Sequence, residues 1–380
     1  MIKFLCILFI GTGVYAQTVT TYFSNPNISI DDGLVFDSLG NLYGSHYNGD
    51  SVYKITPEGE VSLFATGLTT PNGLAFDEND NLYIVNSSAN GEIKKYDSSG
   101  NLLDTFSVGS FPSGIIKDVN SDDMIFTGAA TNSINRLSQD GTITTMYEGD
   151  PLNWPIGLAF DAQDSLYVGN FFGREIHRIS PNNVPEYVAT IPNESSTDDP
   201  LLAFITFGNG ALWGTSYLGH KIYKINPNGI DDVTRFAGDE LGETDGDISN
   251  ASFSFPNGIV FNDSENAMYI SQFNTDGNIR KISNIPLSIN TFDELALQVS
   301  VAPNPASDYV TIAGDSKAFI GAIKVSVYDI SGKLIEDLSK NSLERNFSTT
   351  LDISKYTSGV YFLKIHAKSG QALSRRFIKK

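Results

Sequence analysis

Apolar and polar positions follow one grammar that recurs six times along the first three quarters of the chain. Each copy opens with a short, nearly continuous apolar segment: GLVF at 33–36, PNGLAF at 71–76, PSGII at 112–116, PIGLAF at 155–160, LLAFITF at 201–207 and PNGIVF at 256–261. A turn rich in Asp, Asn and Gly follows, such as DENDN at 77–81 or DAQDS at 161–165. A second apolar segment leads with an aromatic: Tyr43, Tyr83, Phe126, Tyr167, Trp213 and Tyr269. A third ends in a basic residue followed by an apolar one, from Lys54-Ile55 to Lys281-Ile282, ten to twelve residues beyond the aromatic in all six copies. A more polar segment completes the unit, as in VSLFATG at 61–67 and ITTMYEG at 143–149. Short runs bounded by turn residues predict strands, and repetition at this period predicts a fold built from small β-units around an axis.

Four antiparallel strands per unit make the blade of a β-propeller. The first and second strands read as continuous apolar runs because stacked blades cover both faces. The sixth unit lacks a fourth strand, since SNIPLSIN after Ile282 carries a proline at its centre. VTTYFSN at 19–25 fits the missing pattern, so the predicted fold is all-β, a six-bladed propeller over 17–288 closed by its N-terminal strand beside 278–282. Closure removes free strand edges. Basic residues of the third strands are predicted to pair with turn carboxylates such as Asp37, Asp77 and Asp161. The acidic insert GDELGETDGDISNAS at 238–252 lacks the ligand alternation of an EF-hand and is predicted to be a solvated connecting loop.

The grammar changes after a linker at 289–299. Alternation in VSVYDI and VYFLKI, with turns at Ser331-Gly332 and Ser369-Gly370, predicts a small antiparallel sandwich over 300–380. Charge divides the chain at the same place. Residues 17–298 hold 12 Lys+Arg against 37 Asp+Glu, net −25, whereas 299–380 hold 12 against 7, net +5. The acidic unit repels nucleic acid and anionic lipid and leaves cations, neutral sugars and basic peptides as ligands. Residues 1–16 combine Lys3, an apolar run and Val14-Tyr15-Ala16, the pattern of a secretory signal peptide rather than a membrane span. The one cysteine, Cys6, lies within it and follows no lipobox, so no disulfide is expected after processing.

The six phrases, PNGLAFDENDNLYIVN above all, resemble NHL repeats and the related gluconolactonase/senescence-marker propellers. In such a ring the residue before each repeat glycine points to the axis. Those residues are Asp32, Asn72, Ser113, Ile156 and Asn257, and the fifth unit departs from the pattern near Ala203. Ring closure makes the sixth, first and second units neighbours, so Asn257, Asp32 and Asn72 converge. Their oxygens suit Ca²⁺. The resemblance implies a metal-dependent lactone hydrolase, with Asp32 its candidate catalytic residue. The departure is chemical: Ser113 and Ile156 stand elsewhere in the ring, so no second carboxylate is present to act as base. A second ring follows the second strands, at His46, Asn86, Ala129, Asn170, Ser216 and Gln272, with aromatics Tyr47, Phe171, Tyr217 and Phe273 one position on. Amides and aromatics around a funnel suit a small molecule, a glycan or a peptide. Only His46 and His220 of the four histidines are placed to face the mouth, which excludes a three-histidine zinc site.

The tail resembles the type A C-terminal sorting domain of the Bacteroidetes type IX secretion system. The matching residues are Pro303-Asn304-Pro305, VYDISGKLI at 327–335 with Gly332, LDIS…SGVYFLKI at 351–365 with Gly359, and Lys379-Lys380. The resemblance implies an address read by an outer-membrane translocon and then removed, leaving the propeller secreted or on the cell surface. Three readings follow: an exported binding module, a Ca²⁺-dependent lactonase-like hydrolase, and an architectural surface protein.

Overall fold

The computed structural model describes residues 17–109, 111–194, 201–273, 277–285, 298–315, 321–330, 333–337, 340–343, 346–367 and 372–380. The expected signal peptide, most of the expected linker and Gly332 lie outside them. Among the described residues the chain is all-β, and no helix is long and apolar enough to cross a membrane. It divides into two units, Met1–Leu287 and Ser288–Lys380.

Among its described residues the first unit contains six antiparallel sheets. Sheet 1 is Leu34–Phe36, Leu42–Ser45, Val52–Ile55 and Val61–Ala65. Sheets 2 to 5 repeat this four-strand meander, opening at Pro71–Phe76, Pro112–Lys117, Pro155–Phe160 and Leu202–Gly208. Sheet 6 is Pro256–Asn262, Ala267–Gln272 and Ile279–Ser283, completed by Thr18–Phe23 from the other end of the unit. Thr18 pairs with Ser283 and Thr21 with Arg280, so the N-terminal strand closes the last sheet as its pattern predicted. The first strand of each sheet contacts that of the next, and the sixth contacts the first.

The cause of this ring is visible at the repeat glycines. A Cβ on Gly33 would sit 2.5 Å from the Asn72 carbonyl oxygen, on Gly73 2.4 Å from that of Ser113, and on Gly114 1.9 Å from that of Ile156. On Gly258 it would sit 2.1 Å from the Asp32 carbonyl oxygen, across the closure. First strands therefore approach too closely for any side chain. Second-strand hydroxyls stitch the same contacts. Ser271 Oγ receives the Gly258 N–H at 2.9 Å and donates to the Asp32 carbonyl at 2.6 Å. Ser45 Oγ donates to the Asn72 carbonyl at 2.7 Å and Thr215 Oγ1 to that of Asn257 at 2.6 Å.

Six apolar clusters fill the six intervals between sheets, each led by one residue of the second strand. Tyr43, Tyr83, Tyr167, Trp213 and Tyr269 are five of these residues, each 2% exposed or less. The third unit corrects the prediction. Ile125, paired with Arg136, takes the place expected of Phe126, which faces the preceding interval. Adjacent strand residues face opposite ways, so a one-residue misreading reverses the face.

Each repeat's basic residue lies directly across from this position. Lys54, Lys95, Lys224 and Lys281 stand 5.4, 4.9, 5.7 and 4.9 Å from the ring centroids of Tyr43, Tyr83, Trp213 and Tyr269. The expected turn partners hold for Lys54 with Asp37 at 3.8 Å and Lys95 with Asp77 at 3.0 Å. Asp161 is a correction: its carboxylate accepts from Tyr167 Oη at 3.0 Å, and Arg178 pairs with Glu186 on the adjacent strand at 2.7 Å. The turn aspartates have a local task as well. Asp77 Oδ1 accepts the N–H groups of Asn79 and Asn81, each at 2.9 Å. Burial acts to raise the Asp77 carboxyl, and hydrogen bonds from Asn81, Lys95 and Asn79 outweigh it and hold it below the ordinary range.

The insert at 238–252 is largely exposed, as expected of a solvated connecting loop, and one short piece of it joins a sheet. Gly246–Asp247 adds a strand outside Thr18–Phe23. Arg280, fully buried, donates to Asp245 Oδ1 at 2.7 Å and to the Ser252 and Thr244 carbonyls at 2.8 and 3.1 Å. Ala251 and Ile248 pack with the cluster around Phe253, so strand pairing, apolar contact and the Arg280 guanidinium together hold the insert.

The second unit forms two sheets, one of three strands (Gln298–Ala302, Tyr309–Asp315, Asn346–Asp352) and one built on Gly321–Asp329, Gly359–Ala367 and Ala372–Lys379. They share one buried cluster, with Val310, Ile312 and Leu351 against Val327, Leu363 and Phe377.

Two expectations follow. Gly114→Ala should lower stability by about 1–3 kcal/mol, since the added carbon meets backbone that cannot move aside; thermal denaturation reads this as a melting point several degrees lower. His177 is 2% exposed, and burial, opposed by Glu175, holds its imidazole below its usual range. Its contribution is complete above about pH 6.5, the unfolded value, and is lost as pH falls toward the depressed folded value. His177→Leu should therefore lose less stability than the parent between pH 7.5 and 5, measured by urea midpoints.

Candidate functional site

The first strands enclose two cavities on the axis of the ring. One, of about 290 Å³, is lined by the apolar segments that follow the repeat glycines, such as Leu34–Phe36 and Leu74–Phe76. The other, of about 220 Å³, gathers the residues that precede those glycines: Asp32, Asn72, Ser113, Ile156 and Asn257. Phe204 lines both. Strand register explains its position. Leu202 pairs with Ser216 and Ile205 with Gly214, as Pro155 pairs with Asn170 and Leu158 with Val168. Phe204 thus stands where the fourth unit has Gly157, and its ring occupies axial space that glycine leaves empty elsewhere.

The wall of the second cavity is aromatic over much of its circuit. Ring centroids of Phe111 and Trp154 lie 6.2 Å apart, and Phe172, exposed and outside the lining, links Trp154 at 5.8 Å to Phe171 at 5.2 Å. The arc continues from Phe171 to Tyr217 at 6.2 Å, Tyr217 to Phe273 at 5.7 Å and Phe273 to Tyr47 at 5.8 Å. These rings come from two places in each unit. Tyr47, Phe171, Tyr217 and Phe273 follow the second strands. Phe111 and Trp154 precede the proline of the first strands, as Phe255 does, and hold left-handed backbone with φ of 50°, 55° and 51°. Such a conformation costs a bulky residue about 1–3 kcal/mol and persists only where neighbours enforce it. Here Phe111 donates its N–H to the Ser88 carbonyl at 2.7 Å and accepts the Ala129 N–H at 3.0 Å. Trp154 donates to Asn132 Oδ1 at 2.8 Å and accepts the Phe171 N–H at 3.0 Å.

The amides predicted for the funnel lie elsewhere. Asn86, Asn170 and Gln272 are buried and fasten the loops that precede the first strands. Asn86 Oδ1 accepts the Thr69 N–H at 3.4 Å, Asn170 Oδ1 that of Asn153 at 3.1 Å, and Gln272 Oε1 that of Ser254 at 2.7 Å. Ser216 is buried, and its Oγ has no hydrogen-bond partner. His46 stands 3.7 Å from Asp31 Oδ2, and His220 Nδ1 accepts the Phe255 N–H at 3.2 Å; neither lines the cavity. Side chains alternate at a strand's end, so the amides turn into the protein and the aromatics beside them turn to the axis.

The opposite side of the cavity is polar. Asn72 Oδ1 accepts from Ser113 Oγ at 3.2 Å, and Asn257 Nδ2 donates to the Asp31 carbonyl at 3.0 Å. Asp32 is 3% exposed, and its Oδ1 has no hydrogen-bond partner. Burial and the adjacent Asp31 push the Asp32 carboxyl well up, with Asn257 and the Gly33 N–H acting against them. Burial, with Asp32 and Asp31 nearby, pushes the Tyr217 phenol up to about 12. These donors fit a calcium ion poorly. Ca²⁺ takes six to eight oxygens; this ring presents one carboxylate, and its Asn72 oxygen is already engaged. Among the described residues no three His, Cys, Asp or Glu side chains cluster as metal ligands.

In the second unit the sorting-signal residues converge. Asn304 Oδ1 accepts the Ile378 N–H at 2.9 Å and its Nδ2 donates to the Arg376 carbonyl at 3.0 Å. Ala306 bridges Lys379, and Lys380 donates its N–H to the Ala306 carbonyl at 2.8 Å. Gly359 pairs with Lys379 from the other side. Pro303 and Pro305 flank Asn304 in the exposed segment that carries this clamp.

Fold and cavity together define a β-propeller protein with an aromatic axial pocket and a separate C-terminal β-unit. Residues 10–237 match the model of the Virginiamycin B lyase family, and the chain belongs to that family. Residues 300–380 match the secretion system C-terminal sorting domain. An endo-acting ulvan lyase from Formosa agariphila is 29% identical over 171 residues, which are 44% of this chain. That match spans 29% of the relative, less than a third of its length. Among solved structures, a catalytically inactive histidine-to-alanine virginiamycin B lyase from Staphylococcus aureus with quinupristin is 21% identical, covering 67% of this chain and 80% of that one, with a TM-score of 0.51. An auxiliary nutrient binding protein from Bacteroides thetaiotaomicron is 18% identical over 70% of this chain and 76% of its own, with a TM-score of 0.59. A gluconolactonase from Xanthomonas campestris is 18% identical over 70% and 89%, with a TM-score of 0.53. These likenesses show the fold.

Sequence reasoning missed Phe111, Trp154 and Phe204. The signal was available for two of them: a bulky aromatic directly before the Pro-x-Gly of a repeat.

Proposed function

We propose that the chain is an exported binding protein: a six-bladed propeller that holds a small ligand in its axial cavity without converting it, followed by a sandwich that serves as a type IX secretion address. The observation that carries this reading is the aromatic arc from Phe111 to Tyr47, faced across the cavity by Asp32, Asn72 and Ser113. Rings held rigid by strained backbone give contact area at little entropic cost. Turnover needs a base and a stabiliser for developing charge. No histidine, lysine or arginine lines the cavity among the described residues, and Asp32 is the lone carboxylate there. Membership of a lyase family fixes the scaffold, while activity depends on the site. The Asn304 clamp supports the export reading, because it gathers both ends of the sorting sequence at one strand end.

Trp154 lines the cavity whereas Trp213, the other tryptophan, is buried between sheets. Ligand binding should therefore perturb tryptophan fluorescence, and Trp154→Ala should remove the signal and weaken affinity about tenfold, in line with an aromatic contact of about 1.5 kcal/mol. A panel of glycans, peptides and small amines followed by fluorescence and product analysis is the test; product formation would replace the binding reading with an enzymatic one. Export is tested separately. A chain ended at Gln298 should accumulate in the periplasm, and its normal release would remove the secretion address.

A further inference from the structure

We propose that the axial cavity selects an organic cation, an alkylammonium carried on an apolar body, with the nitrogen against Asp32 Oδ1 and the body against the aromatic arc. This rests on the binding reading above and names its ligand class.

Asp31 and Asp32 are adjacent buried carboxylates with different fates. Asp31 Oδ1 accepts the Tyr47 N–H at 2.7 Å, and its Oδ2 lies 3.4 Å from Ser29 Oγ and 3.7 Å from His46 Nε2. Asp32 Oδ1 receives nothing. A buried carboxylate oxygen without donor or countercharge is costly, and a ligand that supplies both recovers that cost. Among the described residues no cationic side chain lines the cavity to supply it. Asn72 is committed to Ser113, and Asn257, which also lies against the Asp32 carboxyl, donates to the Asp31 carbonyl. A sugar, with donors and acceptors all round, meets few open partners here. A ligand with one strong donor and an apolar body meets the open Asp32 Oδ1 and a wall of rings, whose faces attract cations. A volume of about 220 Å³ suits a body of one ring. The net charge of −25 over residues 17–298 draws cations toward the site.

The test uses the full chain at constant pH and ionic strength, with phenethylammonium, its neutral isostere 2-phenylethanol, and CaCl₂ as probes in calorimetry and thermal shift. Phenethylammonium should bind at least tenfold tighter than the alcohol. Asp32→Asn should abolish this preference while melting at or above the parent temperature, because it removes a buried unpaired carboxyl; Asp32→Glu serves if the amide variant fails to fold, and should retain preference for the cation. Trp154→Ala should weaken both organic probes alike. Equal affinity for the two, or a preference that survives in Asp32→Asn, overturns the proposal. Stabilisation by Ca²⁺ that depends on Asp32 and displaces the amine also overturns it, assigning Asp32 to a metal. Binding of glycans or peptides without discrimination between the amine and the alcohol overturns the cation site alone, whereas no binding by any probe overturns the binding reading as well.

Discussion

The structure depends on how closely six first strands can approach one axis. At Gly33, Gly73, Gly114 and Gly258 the backbone of one sheet rests against a carbonyl of the next at distances no Cβ could share. Three of those carbonyls, of Asn72, Ile156 and Asp32, accept hydroxyls from Ser45, Thr127 and Ser271 of the sheet before, and Thr215 bonds that of Asn257 in the same way. Backbone contact, not side-chain interdigitation, therefore sets the radius of the ring. The clusters between sheets, with Trp213 and the tyrosines at their centres, fill the wedge that this radius leaves. A ring of fixed radius brings residues 32 and 257 together, though more than two hundred positions separate them.

The candidate site lies where the repeat departs from itself. Four units place a small or polar residue before a glycine, and those positions build backbone contacts. Phe204 breaks the rule by filling the glycine's place, which divides the axial space. Phe111, Trp154 and Phe255 occupy a position where backbone strain is imposed, and two of them form the cavity wall. Asp32 is the one carboxyl member of its ring. Strain and an uncompensated buried acid both work against stability, and they coincide at one cavity.

The second unit shows a different economy. A short irregular segment, Pro303 to Ala306, is held to the last strand by an asparagine side chain that imitates a neighbouring strand's backbone, accepting one N–H and donating to one carbonyl. The two ends of the sorting sequence thereby form a single local structure, which accounts for the joint appearance of distant sequence landmarks.

Strand number, their grouping in fours and the closing role of Thr18–Phe23 were legible because they rest on local pattern: apolar runs, Asx turns and a missing fourth strand. The axial set Asp32, Asn72 and Asn257 was legible for the same reason, since periodic position determines what reaches the axis. Phe126 was misplaced because both it and Ile125 are apolar and only pairing register separates their faces. Asn86, Asn170 and Gln272 were assigned to the funnel because residue type does not reveal that a loop N–H already occupies each amide. The short strand Gly246–Asp247 within the insert was not legible because its pairing partners, Thr18 and Val19, lie at the other end of the unit. Composition and periodicity alone thus determined the ring and its order; tertiary packing decided which polar atom remained without a partner, because hydrogen-bond satisfaction depends on neighbours brought together only when the ring closes.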